Sequence, residues 1–267
     1  MARTIRIRKD TEAYYHIVSR TNAKAFLFDE KMKREMVKTM LSVAVFSGVK
    51  IEAHCMMDNH FHLVVKVMKP EKALTDYEIA DRIRAIKKKE VAEAFLCSVM
   101  AYQAMGREDL VEAEREKWLR RMHDVSEFVK TYKETVTRIY KKDHEYVGSI
   151  WSGRFKSTLI ENDDYLQTVI RYVELNPVRA EMVEKASDYA YSSHRTVEPE
   201  EEDLLAQELE AKLHTRQPQL SGGKVCGSKA FVCEVIGVYL RRAKRRAIWA
   251  FANLYSSHGY LIAKAAS

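Results

Sequence analysis

Residues 58–67 read DNHFHLVVKV, and this short run limits the fold more than any other part of the chain. A turn-forming Asp-Asn pair opens onto a valine-rich stretch of strand length. Side chains alternate faces along a strand, so His60, His62 and Val64 share one face while Phe61, Leu63 and Val65 share the other. The preceding VKIEAHCMM (49–57) also alternates, and the intervening turn makes the two a β-hairpin. Upstream, AYYHIVSRT (13–21) is β-branched and aromatic and reads as a first strand. DEKMKREMVKTMLSVAVFSG has apolar positions at helical spacing, acidic residues at its start and Gly48 as a C-cap. The order β-α-β-β begins a small α+β sheet domain.

Residues 71–145 contain no proline and only Gly106 among glycines, and their apolar stripes predict amphipathic helices. GSIWSGRFKSTLIEN breaks that pattern and predicts a strand over about 154–161. DDYLQTVIRYVELNP reads as a helix with acidic residues at its start. It is expected to stop at Asn176, because a residue before proline disfavours the helical region. Next comes an acidic helical piece that runs into a Pro/Ser/Gly linker near 216–224. Beyond it, SKAFVCEVIGVYLRRAKRRAIWAFANLY reads as helices. The expected division is a catalytic domain over 1–197, an acidic helix and linker over 198–224, and a basic helical segment over 225–267.

Hydrophobic residues make up 46% and charged residues 31%, a balance that suits a globular chain with a real core. No run approaches 18 consecutive apolar residues, so no membrane span is expected. MARTIRIRKD has no apolar stretch of the kind a secretion signal needs, and the cytoplasm is the expected compartment. The four cysteines (Cys55, Cys97, Cys226, Cys233) form no CxxC pair, so reduced thiols are expected rather than a zinc knuckle. The formal charge of +7 favours a polyanionic partner such as nucleic acid.

The two strand histidines allow two readings. Either both imidazoles aim at one point and hold a divalent metal with a third ligand from elsewhere, or they are polar residues on a solvated face. In IRYVELNPVRA, Tyr172 and Asn176 stand four apart and share one helix face. Asn176 can offer a carbonyl oxygen to a metal, and Tyr172 can act as a nucleophile once a metal or phosphate environment activates it. The bland alternatives are a core tyrosine and a helix-ending asparagine.

Taken together and in order, YYHIVSRT, HCMMDNHFHLVV, SIWSGRFKSTLIENDDYL, RYVELNPVRAEMV and DYAYSSHRT resemble the single-tyrosine HUH transposases. Among these, the match is to the REP-associated tyrosine transposases, over roughly residues 10–196. The resemblance implies a ferredoxin-like antiparallel sheet flanked by helices, with a helical insertion and a helical C-terminal tail appended here. It implies His60 and His62 as metal ligands, Asn176 as the amide ligand, and Tyr172 as the nucleophile. It further implies metal-dependent nicking and strand transfer of single-stranded or hairpin DNA, such as REP-like palindromes, through a 5′-phosphotyrosine. Magnesium or manganese is the expected ion. A monomer or homodimer is expected, with no membrane partner. Two departures stand out: Asp58 replaces a usual turn proline, and the helical stretch of about 95–125 is longer than usual. A non-catalytic hairpin DNA or structured RNA binding protein is the competing reading. A metal-dependent hydrolase without a covalent intermediate is a third.

Candidate DNA contacts are Arg154 and Lys156, which flank Phe155 in a pattern that can follow a backbone while stacking a base. Arg171 and Arg179 border the tyrosine helix. In the tail, Arg241, Arg242, Lys244, Arg245 and Arg246 crowd into six positions, and RIRAIKKKE (82–90) is a second basic stretch. Each has a solvated face as its alternative. His54 and His144 are expected to be structural.

Overall fold

The computed structural model describes residues 11–161, 163–196, 225–228, 230–231, 234–235, 253–257 and 260–264. Its described elements are β1 (Ala13–Arg20), α1 (Glu30–Ser47), β2 (Val49–Met56), β3 (His60–Val67), α2 (Asp76–Arg84), α3 (Lys89–Ala104), α4 (Glu108–Leu119), α5 (Val125–His144), β4 (Lys156–Ile160), α6 (Asp163–Glu174), α7 (Asn176–Arg179), β5 (Val225–Cys226), β6 (Asn253–Ser257) and β7 (Tyr260–Lys264). The first five strands form one sheet in the order β2-β3-β1-β4-β5. Strands β1 to β4 thus carry the order 4-1-3-2 of a ferredoxin-like sheet, as expected. Antiparallel pairing sets Tyr14 opposite Ile160 and Val18 opposite Lys156. One addition was not expected: β5 joins β4 in parallel, pairing Leu159 with Val225, so the sheet is mixed.

The chain divides into two compact units. The first comprises Met1–Leu27, Glu52–Val65 and Trp151–Ser267, and the second Phe28–Ile51 and Lys66–Ile150. In the first unit Ile17, Phe61, Leu63, Leu159, Val169 and Val173 are all buried. Residues 189–193 run along β2, where Tyr191 O accepts from Met56 N at 2.9 Å and Tyr189 Oη donates to Met56 O at 2.6 Å. An edge strand left bare would expose a row of backbone donors and acceptors; here the segment DYAYSSHRT covers it.

The second unit has a core of its own, with Phe46, Ile79, Ile83, Phe95, Val99 and Val111 buried together. Asp29 caps α1 by accepting from Met32 N at 2.7 Å, and Gly48 closes it in the left-handed region at φ 62°. A Cβ at Gly48 would run into the His123 ring and the Arg82 guanidinium, so glycine is required twice over there. Thr75 and Glu78 form a reciprocal capping box on α2. Arg115 of α4 holds Asp76 in a two-point ion pair at 2.7 and 2.9 Å. The expected insertion over 95–125 therefore falls within α3 and α4, whose buried residues share this core.

Two expectations about helices change. The tyrosine helix α6 ends at Glu174, and Asn176 opens a separate short turn through Pro177. Within the C-terminal segment, expected to be helical, 230–231 and 234–235 are helical, but Asn253–Ser257 pair with Tyr260–Lys264 as antiparallel strands. Alternating Leu254, Ser256, Leu261 and Ala263 suit a strand period as well as a helical one, and short apolar runs do not separate the two. The acidic helix and linker (198–224) lie outside the described residues.

Candidate active site

β1 and β3 are neighbours in the sheet, and this adjacency builds the centre of the site. His60 and His62 leave the start of β3 with ring centroids 5.1 Å apart. His16, on β1, stacks against His62 at 5.2 Å with its plane tilted by only 12°. His16 Nε2 lies 3.0 Å from His62 Nδ1, a hydrogen bond between neighbouring strands. His62 is 3% exposed, and Phe61, Leu63, Val64 and Val65 are buried on both faces of the strand. The solvated-face reading of the histidine pair is therefore overturned.

Burial disfavours the charged imidazolium, so His16 and His60 are each pushed down to about 4. His62 falls well below its ordinary value, chiefly by burial, with His16, His60, Arg20 and Arg179 adding to the effect. All three rings are neutral at physiological pH.

The hairpin turn supplies another partner. Asn59 Oδ1 lies 2.7 Å from His60 Nδ1, while Asn59 Nδ2 donates to Lys24 O at 3.0 Å. Thr21 N donates to Asn59 O at 2.9 Å, and Thr21 Oγ1 lies 2.7 Å from Ala25 O. The loop after β1 is thereby fastened to the turn that presents His60.

Tyr172, half-buried near the end of α6, comes edge-on to His62 and to His16, each at 5.9 Å between centroids. The Arg179 guanidinium sits over the Tyr172 ring at 5.0 Å. Asn176 donates through Nδ2 to Tyr172 O at 2.8 Å and to Val173 O at 3.3 Å. Pro177 has no N–H to give the Val173 carbonyl, so the Asn176 side chain takes that role. On the opposite side of α6, Glu174 is 7% exposed. It accepts from Ser193 Oγ at 2.7 Å and lies 3.4 Å from His194 Nδ1. Ser193 Oγ in turn accepts from His54 N at 3.1 Å, which ties the tyrosine helix to β2.

The remaining expected contacts divide. Arg154, Lys156 and Arg171 are exposed. Phe155 is only 8% exposed, so its ring belongs to the core and the base-stacking reading of that aromatic is withdrawn. Arg241, Arg242, Lys244, Arg245 and Arg246 lie outside the described residues. His144 Nδ1 lies 3.0 Å from Tyr140 O, a contact within its own helix, whereas His54 bonds Ser193 through its backbone N–H.

The divalent ion that the sequence resemblance implies fits this donor set. Two imidazoles kept neutral by burial have Nδ1 engaged by protein partners, so Nε2 is the ring atom each has available for an ion. No group of three His, Cys, Asp or Glu suited to a metal occurs among the described residues, so further ligands would come from an amide oxygen or from the substrate.

Residues 9–97 match the family described as Transposase IS200 like. No protein of curated function matches the chain. Among solved structures, the chain is similar to a REP-associated tyrosine transposase bound to a REP hairpin. Identity is 16%, with 73% of this chain and 84% of that one covered and a TM-score of 0.46. A candidate transposase from Deinococcus radiodurans R1 is similar at 12% identity, covering 61% of this chain and 89% of that one at a TM-score of 0.32. No helix among the described residues is long and apolar enough to cross a membrane.

Proposed function

We propose that this protein nicks and rejoins single-stranded DNA, folded as a short hairpin, through a covalent bond to Tyr172. The observation that carries this reading is the placing of Tyr172 against His62 within one chain, 5.9 Å between rings. A tyrosine packed at a structural position would not also need two metal-competent imidazoles and a guanidinium around it.

Tyr172 Oη attacks the scissile phosphorus. The Oη–P bond forms as the P–O3′ bond breaks, leaving a 5′-phosphotyrosine and a free 3′-hydroxyl. The phosphoester is conserved, so a second 3′-hydroxyl can reverse the step and join strands without ATP. Held by His60 and His62 with Asn176 as a further oxygen donor, Mg2+ or Mn2+ would supply charge that polarises the phosphate. Arg179, whose guanidinium lies 5.0 Å from the centre of the Tyr172 ring, is assigned to the phosphate. Arg154, Lys156 and Arg171 are assigned to the DNA backbone, in a monomer or a homodimer.

The test is a gel assay with a labelled hairpin oligonucleotide and Mn2+. A protein–DNA adduct is expected from the wild type and none from Tyr172→Phe, with hairpin binding nearly intact. An adduct that survives the substitution removes Tyr172 from the mechanism. Tight binding with no cleavage under any divalent ion would favour the non-catalytic binding protein, and cleavage without an adduct the simple hydrolase.

A further inference from the structure

Each site histidine uses the same ring atom for its protein contact. Asn59 Oδ1 meets Nδ1 of His60 at 2.7 Å, and His16 Nε2 meets Nδ1 of His62 at 3.0 Å. A neutral imidazole carries one proton, and the partner's chemistry decides which nitrogen holds it. Asn59 leaves no choice: its Nδ2 is spent on Lys24 O, so the atom facing His60 is the oxygen, which can only accept. His60 must therefore be protonated on Nδ1.

His16 is less restrictive, since its Nε2 can donate or accept. Its own Nδ1 is buried with no hydrogen-bond partner. If His62 donates from Nδ1, the His16 proton resides on that orphaned Nδ1. The opposite tautomer, with His16 donating from Nε2, would leave only a lone pair on that Nδ1, so it is a cation at His62 Nε2, and not the hydrogen bond alone, that would select donation by His62.

Resting on the metal-site reading above, we infer that Asn59 and His16 are positioning residues: Asn59 holds the proton on Nδ1 of His60, and His16 accepts from Nδ1 of His62 once a divalent cation takes its Nε2, so that both Nε2 lone pairs serve the ion. Asn59 does this rigidly and joins it to the loop at Thr21–Ala25. His16 does it across strands, at the expense of its own unsatisfied nitrogen.

The decisive measurement is a long-range 1H–15N spectrum of the 15N-labelled, metal-free full chain at neutral pH, together with Mn2+ titration by calorimetry. His60 should appear as the Nδ1–H tautomer without metal, and His62 should adopt it when a diamagnetic divalent ion such as Mg2+ is added. Asn59→Ala should move the His60 proton toward Nε2 and weaken Mn2+ binding about ten- to a hundred-fold, the usual effect of removing such an outer partner. Asn59→Asp keeps an acceptor there and should restore both the tautomer and most of the affinity. His16→Phe and His16→Gln should show the same contrast at His62. Thr21→Val loosens the loop without touching either acceptor and should leave the tautomers unchanged. An Nε2–H tautomer at His60 in a wild-type protein that binds Mn2+ overturns the inference, as does an Asn59→Ala protein with unaltered tautomer and affinity. Should the wild type bind no Mn2+, the metal reading fails, while the metal-free spectrum still decides the tautomer of His60.

Discussion

His16 shows what a single buried side chain can impose on the protein. At 1% exposure its imidazole is held neutral in the folded state, pushed down to about 4, whereas the unfolded chain protonates near 6.5. Between those two values the unfolded state binds a proton that the folded state refuses, so unfolding gains free energy as pH falls. The stabilisation is complete above about pH 6.5, declines as pH drops toward 4, and changes no further below that. At about 1.4 kcal/mol per pKa unit, His16 alone accounts for about 3 kcal/mol. Urea unfolding of the metal-free protein should show a lower midpoint at pH 4.5 than at pH 7.5, and His16→Leu should reduce that dependence. An unchanged slope in the variant would mean that His16 does not carry it.

His60, His62, Tyr172 and Asn176 could be singled out as candidates in the sequence because each lies in a local pattern: alternation along a strand, or spacing on a helix. His16 was not. In AYYHIVSR it is one more residue of a strand, and its meaning depends on β1 lying beside β3, a pairing that no local pattern states. Asn59 read only as a turn residue, since its contact with Lys24 O spans the gap between two loops.

At the level of elements, the end of α6 combines two demands. Pro177 removes a backbone donor just where the nucleophile's helix must stop, and Asn176 answers with its amide nitrogen to two carbonyls. Asn176→Ala should lower the stability of the metal-free protein by about 1 kcal/mol, the net worth of a typical hydrogen bond, because those carbonyls lose their donor. Thermal melts without added metal isolate this effect from any change in ion binding. If the variant melts as the wild type does, the cap is not a stabilising contact. The sequence did signal the helix stop, two residues late, but not the separate turn α7 that follows, because proline suits the first turn of a helix as well as it ends one. Strand character at 253–264 was missed for a different reason: pairing partners, rather than intrinsic preference, decide such short runs.

On the scale of the whole molecule, the two units differ in how far apart in sequence their contacts lie. α2, α3 and α4 touch one another within a stretch of neighbouring residues, whereas one flank of β1 is completed only by β4, Val18 against Lys156. Local contacts form faster than distant ones, because less chain must be ordered to make them. Pulsed hydrogen exchange during refolding should therefore show protection in α2–α4 before the amides of β1 and β4. Simultaneous protection would mean that the chain folds as one cooperative step. The same register has a consequence during synthesis. β1, β2 and β3 leave the ribosome long before Lys156–Ile160, so one flank of β1 waits with its backbone donors and acceptors unclaimed. An unclaimed flank is a template for a neighbouring chain, and a nascent molecule stalled before β4 is the form of this protein most exposed to aggregation.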